Sequence, residues 1–436
     1  MPSCAALLTL ALVALSGCRC NPQYCEGHIG NNCDLPASAI DGQQGCISND
    51  QCSGSTSVCN VSAAVCVQCT TDQPGACTGA TPVCGATNTC VECTGAQLAA
   101  CTGATPICNA DSNKCERCTA HAQCTGSAVC LPDGSCANQT DVAYVAPQPV
   151  GSDNASCTKT TPCVNMNKAL QTSRRYVKLS GTTDEVGQTV SINNQDVTLL
   201  ADPGAQLTST SNGLLLEIRG TSHVAIYDLE ITGASGATGI GISVPTGSGG
   251  SLTISRSTIS NNQGGGISVM GGTFVIVGNV FFNNGADSTL IGGVAIGSMQ
   301  NATNRLEFNS FLRNKIQNGL GSAIQCVAGT FTARNNIMSD NGTISNSEQV
   351  GGTCMHSYSI VRPGTLPTAS TIPAGANNIA TDPEFVDTVN GDLHIKPGSP
   401  ARHAADPSSD LTGITSEDID GDSRVAPADI GADQVK

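Results

Sequence analysis

The sequence predicts an all-β solenoid of stacked coils behind a disulfide-rich repeat region, and three observations carry that expectation. An eleven-residue phrase recurs at Leu252 to Asn262, Phe274 to Asn284, Asn304 to Asn314 and Thr330 to Asp340. Between its copies runs a second phrase of alternating apolar residues: Gly241 to Val244, Gly266 to Val269, Gly293 to Ile296 and Ala323 to Cys326. Two short strands per repeat, every 22 to 30 residues and with no helix between them, mark a stacked solenoid. The third observation is 25 cysteines, most of them in regular arrays before residue 137.

Composition agrees. With 49 Gly, no Trp, 3% aromatic and 12% charged residues, the chain suits short strands joined by turns. Its 436 residues leave room for two or three domains. The net charge of -15 excludes nucleic acid as an expected partner, because phosphates would go unneutralised. It also disfavours direct binding to an anionic membrane surface. So many thiols imply an oxidising exterior where they pair.

Residues 1–17 read as an export signal whose apolar run, Ala5 to Leu15, is too short to span a bilayer. It ends in Leu15-Ser16-Gly17-Cys18, which resembles the bacterial lipobox. The resemblance implies cleavage before Cys18, lipidation of that cysteine and a membrane as partner through the lipid. Arg19 stands where the inner-membrane retention signal has Asp, so the implied address is the outer membrane or cell surface. One departure is that Met1 to Cys4 carries no Lys or Arg. Residues 18–45 form a polar tether with Cys20, Cys25 and Cys33.

Residues 46–136 hold four units of four cysteines: Cys46-52-59-66, Cys69-77-84-90, Cys93-101-108-115 and Cys118-124-130-136. Each has too few apolar residues for a core, so disulfides must supply its stability. Four cysteines allow three connectivities, which spacing does not decide. The CxxC pairs Cys66/Cys69, Cys90/Cys93 and Cys115/Cys118 lie near zinc-ribbon spacing, but two further cysteines separate each successive pair, which favours disulfides over metal. The region resembles cysteine-rich repeats near the N-termini of exported proteins of myxobacteria and their relatives.

After a linker at 137–150 the main domain spans 151–380. Cys157 and Cys163 suit a local disulfide, and Val164 to Ser173 suits a short helix capping the open end of the stack. Ile254 and Ile276 should stack inward on adjacent coils. Asn262, Asn284, Asn314 and Asp340, at position eleven of the phrase, fall where each coil turns. Asn tolerates left-handed backbone there and can build a hydrogen-bonded ladder. The irregular spacers make a β-helix the natural reading, since loops lengthen without disturbing the stack. Cys326 and Cys354 lie about one coil apart, within disulfide reach. Residues 141 to 360 resemble the right-handed parallel β-helix proteins of bacterial surfaces, an architecture shared with pectate lyases.

Residues 381–436 carry Asp382-Pro383-Glu384-Phe385, Gly391 to Ala401, Asp418-Ile419-Asp420-Gly421-Asp422-Ser423-Arg424 and Asp429-Ile430-Gly431-Ala432. This series resembles the end module named choice-of-anchor type Q. Asp418, Asp420 and Asp422 form a weak Ca²⁺ candidate, because Gly421 stands at position four where an EF-hand loop needs Gly at six. No other cofactor is expected.

Catalysis finds little footing. Lyases of this architecture need a basic residue beside carboxylate-held Ca²⁺, and hydrolases need paired carboxylates. Glu217, Asp228, Glu230, Asp287 and Glu307 are scattered; Asp228 is expected to meet Arg256 on the next coil. Arg313, Lys315 and Arg334 have no aligned carboxylate except Asp340, and no catalytic residue is assigned. The expected function is a lipid-anchored surface protein presenting a solenoid face to a polysaccharide or an envelope protein. A polysaccharide lyase or hydrolase with a non-standard site, and a purely structural envelope spacer, are the alternatives.

Overall fold

The computed structural model describes residues 45–210, 212–297, 303–328, 331–342, 348–362 and 377–436. Cys18 and the expected signal and tether lie outside them. The described chain forms two compact units, residues 45–119 with 134–136, and residues 120–133 with 137–436.

The first unit is a series of short antiparallel hairpins, Val58–Asn60 with Val65–Val67, Val83–Cys84 with Cys90–Val91, and Ile107–Asn109 with Lys114–Glu116. Three of the turns use left-handed backbone at Ala64, Asn88 and Asn113. In each hairpin the third and fourth cysteines of a unit face one another, yet they do not bond to each other. The bonds run first to third and second to fourth: Cys46–Cys59 and Cys52–Cys66, Cys69–Cys84 and Cys77–Cys90, Cys93–Cys108 and Cys101–Cys115. Cys118, Cys124, Cys130 and Cys136 are disulfide-bonded too. The two cysteines of each CxxC therefore serve different units, which leaves no thiolate pair for zinc. Successive units share a further tie: Gln68 and Glu92, each inside a CxxC, accept the backbone N–H of Cys90 and Cys115 at 2.7 and 2.8 Å.

The second unit is a parallel β-helix with three strands per coil, one more than the sequence reading expects. Among the described residues its strands line up in parallel sheets of nine, eight and seven. The eleven-residue phrase holds two strands, such as Ser251–Ser255 and Thr258–Ser260, and the second phrase holds the third, Gly265–Val269. The phrase breaks at position five, where Asp228, Arg256, Gly278 and Phe308 all take left-handed backbone. Ile254 pairs with Ile276 across adjacent coils and both are fully buried. Inward stacks of this kind, with Phe281 on Phe311 at 4.5 Å, fill the interior. Each buried Ile or Phe contributes about 1.5–3 kcal/mol of transfer free energy, so coil stacking dominates stability.

The expected linker at 137–150 is instead part of the solenoid. Val142–Val145 is the edge strand of the nine-stranded sheet, parallel to Tyr176–Leu179, with all four side chains buried. Ala143 and Val145 join the main core, while Val142 and Tyr144 pack under Val129 and Leu131. An uninterrupted apolar run of four fits a strand covered on both faces. Residues 120–133 thus belong to the same unit. The helix Met166–Gln171 is capped by Asn165, whose side chain accepts from Lys168 N, and buries Met166, Ala169 and Leu170 against the core. Cys157–Cys163 and Cys326–Cys354 are disulfides.

Two internal asparagine ladders tie the coils together. Asn262 donates to Asn284 at 3.0 Å, Asn284 to Asn314 at 2.9 Å, and Asn314 to Asn341 at 2.8 Å. A parallel ladder links Asn279 to Asn309 and Asn309 to Asn336, both at 3.0 Å. In the fourth copy of the phrase the rungs are Asn341 and Asn336, so the expected assignment of Asp340 is corrected. The coil from Ser310 to Ile337 advances 27 residues, and counting from Thr330 slips the fourth copy by one. Asp340 is the exposed-side neighbour in left-handed backbone, bonded to Arg362 at 2.6 Å.

At the last complete inward stack stands His356, 2% exposed, with no partner for its Nδ1. Burial pushes its imidazole down to about 4. The unfolded chain takes up a proton below pH 6.5 that the fold refuses, so stability is full above that pH and falls as pH drops through 4. The loss should approach about 3 kcal/mol, at about 1.4 kcal/mol per tenfold. Urea midpoints at pH 7 and 4.5 check it: His356→Leu should flatten the difference, and an unchanged slope would refute the assignment.

Residues 377–436 pack on the outer face of the eight-stranded sheet. Phe385, Leu393, Ile395, Ala401, Ile430 and Ala432 meet Val280, Phe308, Leu312, Ile337 and Ile360 there. Arg424 is buried over the Phe308 ring at 4.6 Å and donates to the carbonyls of Gly431 and Ala432 at 3.0 and 2.6 Å.

Candidate functional site

Where each coil turns from the eight- to the seven-stranded sheet, the residues flanking the buried ladder reach solvent. Position ten of the phrase, just before each ladder rung, requires left-handed backbone and is filled by Asn261, Asn283, Arg313 and Asp340. Asn is the residue that tolerates this conformation best after Gly, and it leaves an amide pointing outward. Asn283 donates to Asn261 at 2.7 Å, and Gln263 accepts from Gly236 N at 2.7 Å. The longer loop after Asn284 folds back through Ala286 and Thr289, whose side-chain hydroxyl and backbone atoms bond one another. A cavity of about 760 Å³ opens between these turns, lined by Asn261, Gln263, Asn283, Asp287, Ser288 and Lys315 among others. Asp287 and Lys315 are exposed, and neither makes an ion pair among the described residues.

Chemically the groove offers amides, a hydroxyl, one amine and one carboxylate. That donor and acceptor set suits a polyhydroxyl ligand. It lacks the second carboxylate that acid–base hydrolysis of a glycoside needs, and the carboxylate cluster a Ca²⁺-assisted lyase needs. Sequence reasoning weighed Asp287 and Lys315 separately and passed over Asn261, Gln263 and Asn283. The signal that would have found them is the residue before each ladder Asn.

The other residues singled out have structural partners. Arg334, thought to lack an aligned carboxylate, lies on the coil after Glu307 and bonds to it at 3.2 Å and to Asp406 at 3.4 Å. The one-residue slip that misplaced Asp340 also hid this pair. Arg313 reaches the Val389 carbonyl at 3.5 Å. Arg256 meets Asp228 at 2.7 Å, as expected from the stacking, and also Glu417. His223 bonds Ser251 at 2.8 Å.

The expected Ca²⁺ trio is corrected, because its carboxylates diverge. Asp418 is buried and accepts the backbone N–H groups of Asp420, Asp422 and Gln434. Asp420 turns to His394 and Asp422 to Lys436. Asp418 is a turn-closing residue, as is Asp429, which accepts from His403 N and Val435 N.

A family model described as a right handed beta helix region matches residues 212–362. Another, for a family of unknown function (DUF8331), matches residues 18–142. With the sheets described above, the protein is a right-handed parallel β-helix carrying disulfide-rich N-terminal repeats. No curated protein matches the chain. Among solved structures it is similar to pectate lyase Pel9A, at 13% identity and TM-score 0.38, over 68% of this chain and 96% of that one. It is also similar to the pectin methylesterase from Aspergillus niger in deglycosylated form, at 12% identity and TM-score 0.29, over 65% of this chain and 96% of that one.

Proposed function

We propose that this is an exported, lipid-anchored cell-surface protein that binds a polysaccharide in the groove beside the asparagine ladder, without cleaving it. The groove itself carries the reading: outward amides repeated at the coil spacing, one amine, and no pair of carboxylates. The lipobox-like Leu15 to Cys18 and the dense disulfides support the address. With a net charge of -15, the chain repels polyanions, so a neutral or weakly charged glycan is the fitting ligand.

Binding of the purified, oxidised protein to a panel of neutral and acidic polysaccharides tests the proposal. Asn283→Ala and Lys315→Ala should each weaken binding roughly 3- to 10-fold, the loss of one net hydrogen bond of about 0.5–1.5 kcal/mol. Stability should stay within about 0.5 kcal/mol for Lys315→Ala, an exposed side chain, and fall by about 1 kcal/mol for Asn283→Ala, which puts alanine in left-handed backbone. Binding that ignores both substitutions would move the site elsewhere. Unsaturated or reducing-end products released from any glycan would overturn the non-enzymatic part.

A further inference from the structure

The C-terminal hairpin holds a cluster of titratable groups apart from the groove. His394 sits on the strand Asp392–Ile395, with both ring nitrogens facing carboxylates. Its Nδ1 lies 2.5 Å from Asp392 and its Nε2 lies 2.8 Å from Asp420. An oxygen of Asp433 lies within 4.8 Å of ligand atoms of both His394 and Asp420. Asp433 is 7% exposed. One of its oxygens accepts Ile395 N at 2.9 Å, and the other meets no donor among the described residues. That second oxygen is free to meet a cation, beside the positive charge that Arg424 already brings near Asp433.

We propose that His394, Asp420 and Asp433 form a binding site for a first-row transition dication of the Zn²⁺ type. Three features fit together. The donor set is one imidazole nitrogen and two carboxylates, which suits Zn²⁺ and its neighbours and not Ca²⁺, a cation that takes oxygen ligands. Ligand atoms around such an ion sit about 3.0–3.5 Å apart, given metal–ligand distances of about 2.0–2.2 Å. The present spacing of 2.8 Å to within 4.8 Å needs only side-chain adjustment to reach that. Asp392, on the far ring nitrogen, supplies the outer carboxylate that fixes the tautomer and leaves Nε2 as the ligand atom.

The charge balance agrees. Three carboxylates, Asp392, Asp420 and Asp433, surround one imidazole, and Asp418 stands behind them. With the ring neutral, as a ligating imidazole must be, these four carboxylates outnumber the one buried cation near them, Arg424, and a dication offsets much of the excess. His394 and Asp420 are 40% and 54% exposed at their side chains, so an ion has an open path.

Titrating the oxidised full chain with ZnCl₂, with CaCl₂ and MgCl₂ in parallel, tests the assignment by calorimetry and by thermal shift. One Zn²⁺ per chain should bind and raise the melting temperature, with no response to Ca²⁺ or Mg²⁺. Asp420→Asn and His394→Gln should each weaken Zn²⁺ at least tenfold, and Asp392→Asn, a positioning residue, roughly tenfold. His223→Gln should change nothing. Asp420 is exposed, so its Asn variant should melt as the parent does without metal, which separates lost ligation from lost folding. No Zn²⁺ response, or a response that Asp420→Asn and His394→Gln leave intact, would overturn the site.

Discussion

Replacing Asn309 with alanine is expected to cost about 3–5 kcal/mol, a large part of the stability of an ordinary domain. Asn309 is fully buried and works in both directions along its ladder. Its oxygen accepts from the backbone N–H and the amide of Asn279, both at 3.0 Å. Its own amide donates to Ile276 O at 2.9 Å, and to Asn336 Oδ1 and Glu307 O at 3.0 Å. Alanine therefore strands a donor pair and a carbonyl in the interior, at about 1–3 kcal/mol for each buried group left unmet. Denaturation midpoints in urea measure the loss. Asp340→Asn is the informative contrast: it keeps a residue that tolerates the left-handed backbone, removes one partly exposed ion pair with Arg362 and should cost at most about 1 kcal/mol. Equal effects at the two positions would mean the ladder is decorative.

That contrast also marks where the sequence was legible. Coil stacking was, because apolar positions in the phrase repeat at the strand spacing and Ile254 and Ile276 fall on one line. The capping helix was, from an apolar stretch without Gly or Pro. Strand count was not: the bend inside the phrase falls on Asp228, Arg256, Gly278 and Phe308, residue types with no shared turn signature, and left-handed Arg or Phe is too costly to expect from sequence. The ladder register was legible for three rungs and lost at the fourth, where Asn335 and Asn336 are adjacent and either fits position six. Val142–Val145 escaped because Pro147 and Pro149 mark a break that falls after the strand and not before it. The His394 cluster was invisible, since its ligands lie on separate segments that only the fold brings together.

Reducing the protein under native conditions is expected to unfold the cysteine repeats while the β-helix persists. The six bonds from Cys46 to Cys115 close loops of 13 to 15 residues, each worth about 3 kcal/mol in the chain-entropy picture. Little else holds these units. Their buried apolar residues other than cysteine are Val58 and Val83, and their hairpins pair two or three residues per strand. Two-stranded hairpins of this size do not persist alone in water. The β-helix rests on a different term, the burial of continuous Ile, Leu, Val and Phe stacks. Its bonds Cys157–Cys163 and Cys326–Cys354 add to that core without creating it. Hydrogen exchange read by mass spectrometry separates the two. Amides at Cys59, Cys90 and Cys115 should lose protection with millimolar reductant, and those of Ile259, Phe281 and Phe311 should keep theirs. Protection that survives reduction throughout the repeats would mean a core that Val58 and Val83 do not supply. Simultaneous loss in both units would mean that the solenoid leans on its disulfides, against the energetics of its stacked interior.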